Sequence, residues 1–175
     1  YQNPFTAVFT TETNISCFGA NDGALTVTPY FGTYPYTYSW TKDSNPFANT
    51  DSTATNLAAG AYAVLVTDNN GKTASVSFTI AEPAAILANG TTSNVSCYQA
   101  GDGAVNLSPT GGTLPYSFFW TTADGFGQVI DAEDQTTLSA GTYDLTITDK
   151  NGCTYNQQYT ITEPSQINIA GVVTN

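Results

Sequence analysis

Tyr36-Thr37-Tyr38-Ser39-Trp40 returns 80 residues later as Tyr116-Ser117-Phe118-Phe119-Trp120. In each stretch the first, third and fifth residues are aromatic. A period of two places them on one face of a strand. Each stretch therefore predicts a β-strand whose inward face ends on a tryptophan. One inward tryptophan per repeat, among many short alternating strands, points to an immunoglobulin-like two-sheet sandwich.

Working outward, the repetition extends over most of the chain. Asn14-Ile15-Ser16-Cys17-Phe18 matches Asn94-Val95-Ser96-Cys97-Tyr98, and Asp22-Gly23 matches Asp102-Gly103. Beyond the tryptophan the offset becomes 81, as Thr67-Asp68-Asn69-Asn70-Gly71 against Thr148-Asp149-Lys150-Asn151-Gly152 shows. One residue is thus inserted in the loop after Trp120. A period of this size signals tandem modules. The boundaries read as copy one over 1–83, copy two over 84–164, and 165–175 as the first strand of a truncated third copy. That phase, with an N-terminus lacking export-signal features, leads us to expect a fragment of a longer protein. Glu82-Pro83-Ala84-Ala85-Ile86 joins the copies without a Pro/Ser-rich linker, which predicts a stiff junction.

Further strands follow from the same alternation. Tyr62, Val64 and Val66 form one inward set, and Val76, Phe78 and Ile80 another. In copy two the sets are Tyr143, Leu145, Ile147 and Tyr159, Ile161, with Gln157 interrupting the last. Asn70-Gly71 and Asn151-Gly152 supply hairpin turns, because both residue types tolerate positive φ. Gly60-Ala61-Tyr62 and Gly141-Thr142-Tyr143 resemble the tyrosine corner of sandwich folds. Trp40, Trp120, Tyr62 and Tyr143 are therefore expected to be structural. No segment has helical periodicity.

Composition excludes several functions. The formal net charge is −11, and Lys42, Lys72 and Lys150 are the only cations. Nucleic acids and anionic membranes need clustered basic groups, which are missing. No run approaches the ~18 apolar residues of a membrane helix, so no membrane insertion is expected. With no histidine, Ser-His and Cys-His nucleophile activation and the commonest zinc sites are absent. Asp22, Asp102, Asp68 and Asp149 recur, but turn formation accounts for them without catalysis. The chain reads as a non-enzyme that requires no cofactor.

There are three cysteines. Cys97 and Cys153 share copy two, and pairing them would close a 56-residue loop. On the chain-entropy model such a bridge stabilises by ~4 kcal/mol. It would imply an oxidising compartment and a more stable second copy. Lys72 stands where copy one would carry the second cysteine, so Cys17 is expected to lack a partner. The alternative is that all three are small buried apolar residues.

The pattern Asn94-Val95-Ser96-Cys97, Gly101-Asp102-Gly103, Gly111-Gly112-Thr113-Leu114-Pro115-Tyr116, Trp120, Ala140-Gly141-Thr142-Tyr143, Asn151-Gly152-Cys153 and Glu163-Pro164 closely resembles the SprB repeat. That repeat occurs in very large surface adhesins of gliding Bacteroidetes. Copy one departs from it at Lys72 and at Phe31-Gly32-Thr33. The resemblance implies an extracellular filament on the bacterial surface, carried by the gliding machinery while attached to a substratum. Such a repeat either adheres or only builds the stalk.

Two binding sites are conceivable. Asp124, Asp131, Glu133 and Asp134 crowd the loop after Trp120 and could form the core of a calcium site, which needs six to eight oxygens. Their spacing fits no calcium-loop motif, and a solvated acidic loop is the simpler reading. For sugar, Tyr30, Phe31 and Tyr34 are aromatics that copy two replaces with Thr110, Gly111 and Leu114, so the fold does not need them. Phe119 likewise stands outward where copy one has Ser39. The partners expected are the neighbouring repeats of the same chain and a surface polysaccharide. Asn14, Asn89, Asn94 and Asn106 begin N-x-S/T triplets at the frequency chance allows.

Overall fold

The computed structural model describes residues 3–169, which hold thirteen β-strands and no helix. The chain divides into two compact units, Tyr1–Ala84 and Ala85–Asn175. In unit 1, β1 (Thr6–Thr13), β2 (Gly23–Tyr30) and β5 (Thr53–Leu57) form one antiparallel sheet in the order β1-β2-β5. The other sheet runs β4-β3-β6-β7, from β3 (Thr37–Lys42), β4 (Asn45–Phe47), β6 (Gly60–Thr67) and β7 (Thr73–Ile80). In unit 2, β8 (Thr91–Ser93), β9 (Gly103–Asn106) and β11 (Gln135–Leu138) form a sheet ordered β11-β9-β8. Its companion is β10-β12-β13, from β10 (Ser117–Thr122), β12 (Gly141–Thr148) and β13 (Thr154–Ile161). Each unit is an immunoglobulin-like sandwich.

The alternating residues meet between the sheets. Leu25, Val27, Trp40, Leu57, Tyr62, Val64, Val66 and Ile80 are buried in unit 1. Val105, Trp120, Leu138, Tyr143, Leu145, Ile147 and Ile161 are their counterparts in unit 2. A buried indole N–H needs an acceptor. Trp40 Nε1 donates to the Asp51 carbonyl and Trp120 Nε1 to the Ala132 carbonyl, both at 2.9 Å. The tyrosine corners are formed: the Tyr62 hydroxyl donates to the Ala58 carbonyl and the Tyr143 hydroxyl to the Ser139 carbonyl, each at 3.0 Å.

The units differ where the loop after the tryptophan covers the core. In unit 1 the loop forms β4, and Phe47 packs edge-on against Tyr62 at 5.5 Å, beside the small buried Ala54. In unit 2 Gln135, 1% exposed, occupies the position of Ala54. Its amide accepts from the Val129 N–H at 2.7 Å and donates to the Val129 carbonyl at 2.8 Å. A glutamine thus fastens from inside a loop that has no strand of its own. The first strand also differs. Phe9 of β1 packs against Trp40 and Phe78. The matching stretch of unit 2 contains Asn89 at φ 47° and Gly90, and Tyr159 packs against Trp120 there instead. A Cβ on Gly90 would collide with the Tyr159 hydroxyl group.

Residues 165–169 form no strand. The remainder of the expected first strand of a third copy, 170–175, lies outside the described residues.

Gln135→Leu keeps the volume but leaves the Val129 amide groups unpaired. It is expected to cost about 2 kcal/mol, measured as a lower urea midpoint at unchanged slope.

Candidate functional site

Each sandwich has a leading end, near which its chain starts, and a trailing end, from which its chain leaves. A buried aspartate organises each leading end. Asp68, 5% exposed, accepts from the backbone N–H groups of Thr33 (3.1 Å), Asn70 (2.9 Å) and Lys72 (2.8 Å). Asp149 does the same for Thr113 (2.8 Å), Asn151 (2.8 Å) and Cys153 (2.9 Å). One carboxylate therefore shapes the hairpin turn and ties it to the loop before β3 or β10. That loop holds a cis peptide in both units, Tyr34-Pro35 and Leu114-Pro115. In unit 2 the first buried side chain, Ile86, lies against the same loop, since a Cβ on Gly112 would meet both Ile86 and Asp149.

At the trailing ends the Asn-x-Ser-Cys segments fold back on the last strand. Asn14 Oδ1 accepts from the Ala81 N–H and Asn94 Oδ1 from the Thr162 N–H. The Ile15 and Val95 N–H groups donate to the carbonyls of Ala81 and Thr162, both at 3.0 Å. Glu82 and Glu163 accept from the N–H groups of Gly19 and Gln99, both at 2.8 Å. Asp22 and Asp102 close the same loop on Ser16 and Ser96. Side chain to backbone hydrogen bonds thus hold the loop alongside its backbone pairs. The glutamates and asparagines doing this were not identified from the sequence. Their recurrence before Pro83 and Pro164, and two residues before each first-strand Ser-Cys serine, was the available signal.

The cysteines correct an expectation. Cys97 is an exposed free thiol, so no Cys97–Cys153 bridge is formed. Cys153 is nevertheless in disulfide form, and so is Cys17, which was expected to lack a partner. The reading that all three are buried thiols fails with them. Cys97 lies in the loop held by Glu163 and Cys153 beside Asp149, at opposite ends of their sandwich, which sharing a copy in sequence did not reveal.

The acidic loop does not converge on a cation. Asp124 Oδ1 accepts from the Thr142 N–H at 2.8 Å, just as Asp43 serves Ala61 at 2.9 Å in unit 1. Asp134 accepts from the Leu107 N–H at 2.8 Å. Asp131 and Glu133 are exposed. Among the described residues no three His, Cys, Asp or Glu side chains gather as a metal set. Two of the four supposed ligands are instead backbone caps.

The aromatics are at the surface. Tyr34 is 80% exposed, Phe31 63% and Tyr30 43%. Tyr30 and Phe31 lie 6.3 Å apart between ring centres. Tyr34 meets Tyr36 edge-on at 6.2 Å, and Tyr36 stacks on Phe5 at 6.0 Å. The structure therefore divides the three residues between a Tyr30–Phe31 pair and a Phe5–Tyr36–Tyr34 row. Phe119 is exposed on β10.

Burial pushes the Asp68 and Asp149 carboxyls up, and their N–H donors together outweigh it. Both titrate below the ordinary 3.8. Because the folded value lies below the unfolded one, their stabilisation is complete above that pH and is lost as pH falls through the folded value. Asp149→Asn would set an amide donor against N–H groups. It is expected to lower stability at neutral pH and to flatten the acid limb of a stability-versus-pH curve.

Comparison with known proteins agrees with this geometry. No curated protein matches the chain in sequence. Among solved structures, the three N-terminal domains of the bacteriophage RB49 Highly Immunogenic Outer Capsid protein match at 17% identity and TM-score 0.50. That match covers 90% of this chain and 58% of the other, so the chain spans little more than half of that structure. DIP-gamma IG1+IG2 matches at 10% identity and TM-score 0.46 over 95% of this chain and 100% of the other. At such identities the likeness concerns fold alone. The SprB repeat family matches residues 10–45 and 89–125, the segments running from the first strand through the Ser-Cys loop to just past each tryptophan. The SprB repeat thus matches the chain at two places, one in each unit, consistent with two tandem copies.

Proposed function

We propose that the chain is a structural and adhesive segment of a large surface adhesin filament, exposed outside a bacterial cell and serving attachment and gliding. The observation that supports this most is the double match to the SprB repeat on two consecutive sandwiches. Duplicated, self-contained cores suit a spacer, in which stability is a sum over modules and their junctions. The acidity, with only three cations, keeps such filaments soluble and mutually repelling. An antibody raised against the chain is expected to label intact cells that express the parent protein and to slow their attachment. Labelling only after lysis would overturn the proposal.

One observation favours a second, more specific role. Tyr30, Phe31 and Tyr34 expose aromatic faces that the fold does not require, and such surfaces suit stacking on sugar rings. Tyr30→Ala combined with Tyr34→Ala is expected to leave the melting temperature nearly unchanged and to abolish retention on an immobilised polysaccharide panel. If the unaltered chain binds nothing on that panel, the sugar role fails and the spacer role stands alone.

A further inference from the structure

We propose that the outer face of sheet β10-β12-β13 in unit 2 binds an uncharged sugar, with Phe119 as the stacking ring and Asp144, Asn156 and Gln158 as the hydrogen-bonding groups. Strand register puts these side chains in adjacent rows. Phe119 stands opposite Thr146, and Thr146 opposite Asn156, while Asp144 stands opposite Gln158 in the neighbouring row. Leu145 and Ile147 are buried in the core between the sheets, so alternation along β12 places Asp144 and Thr146 on the outer face. Phe119, Asp144, Asn156 and Gln158 are all exposed. Asp144, Thr146, Asn156 and Gln158 line a depression of about 400 Å³, a size that suits a small ligand. Directly opposite side chains on paired strands lie ~5 Å apart, so the Phe119 ring borders this depression at Thr146.

The fold does not need this set. Unit 1 builds the same sheet in the same register with Ser39, Leu65, Ser75, Ala63 and Ser77 at the matching positions. Small and aliphatic side chains therefore suffice, and the ring and long amides of unit 2 are additions to a common frame. Their chemistry is complementary to a pyranose, which has an apolar face of C–H groups and neighbouring hydroxyls that both donate and accept. The Thr146 hydroxyl donates to Asn156 Oδ1 at 2.7 Å, and the Gln158 amide donates to Asp144 Oδ1 at 2.8 Å. These bonds hold the side chains in place before a ligand arrives, which lowers the cost of ordering them. They leave the Asn156 amino group, the Gln158 side-chain carbonyl and the second Asp144 oxygen to meet sugar hydroxyls. The three strands carry one carboxylate, Asp144, and no lysine or arginine. An anionic sugar would meet that carboxylate without a countercharge, so the surface selects an uncharged one. The site lies wholly within unit 2 and uses none of Tyr30, Phe31 and Tyr34, so it stands or falls apart from the tyrosine patch.

The test is NMR shift mapping on the full chain, titrated with neutral oligosaccharides of glucose, mannose and galactose and, separately, with oligogalacturonate. At least one neutral oligosaccharide is expected to produce saturable shifts of the β12 and β13 backbone signals and of the Asn156 and Gln158 side-chain amides. Phe119→Ser is expected to weaken that binding about tenfold. Asn156→Ser combined with Gln158→Ser is expected to abolish it. Each substitution installs the residue that unit 1 carries at the matching position, and unchanged signals from the buried Leu145 and Ile147 verify that unit 2 remains folded. Tyr30→Ala combined with Tyr34→Ala is expected to leave these shifts as they are. The absence of any saturable shift on β12 and β13, even where the tyrosine patch binds, would overturn the proposal. So would full affinity in the Phe119→Ser chain or in the folded double-serine chain, or equally tight binding of oligogalacturonate.

Discussion

The tryptophan at the centre of each sandwich sets the terms for everything around it. Trp40 and Trp120 are almost wholly buried, and a buried indole N–H without an acceptor is costly. The loop that follows must return over the core to offer a carbonyl, and in both units it does so at equivalent positions, Asp51 and Ala132. What lies between is free to differ. Unit 1 reaches the acceptor through a short strand and Phe47, unit 2 through an irregular loop pinned by Gln135. The inserted residue after Trp120 is tolerated because it falls in the part of the loop that this constraint does not reach.

Satisfied polar groups at the ends complement the apolar centre. Asp68 and Asp149 each gather three N–H groups, and Glu82, Glu163, Asn14 and Asn94 secure the opposite loops. Small sandwiches bury limited apolar surface. Side-chain caps of this kind order their loops without enlarging the core. They also explain why so many acidic residues recur between copies.

Much of this was readable in the sequence, and for a physical reason. Period-two alternation of Tyr62, Val64 and Val66 reports burial directly, so strands, tryptophans and tyrosine corners followed from it. Features that depend on where loops meet in space did not follow. Asp124 and Asp134 looked like ligands because they are close in sequence, yet their carboxylates face different backbone donors. Cys97 and Cys153 looked like partners because they share a copy, yet Cys97 lies at the end opposite Cys153. Gln135 carried no periodic signal, because a single buried amide resembles any polar loop residue.

The contrast between Phe9 with Phe78 in unit 1 and Gly90 with Tyr159 in unit 2 bears on how neighbouring copies avoid exchanging strands while they fold. Tandem domains of similar sequence risk this kind of misassembly. Were β1 to enter the sheet of unit 2, its residue aligned with Gly90 would bring a Cβ into the space taken by the Tyr159 hydroxyl group. Were the first strand of unit 2 to enter unit 1, the place of the Phe9 ring would be left empty beside Trp40 and Phe78. Each core thus recognises its own first strand by shape. Two modules alike enough to share a fold remain different enough to fold separately on one chain.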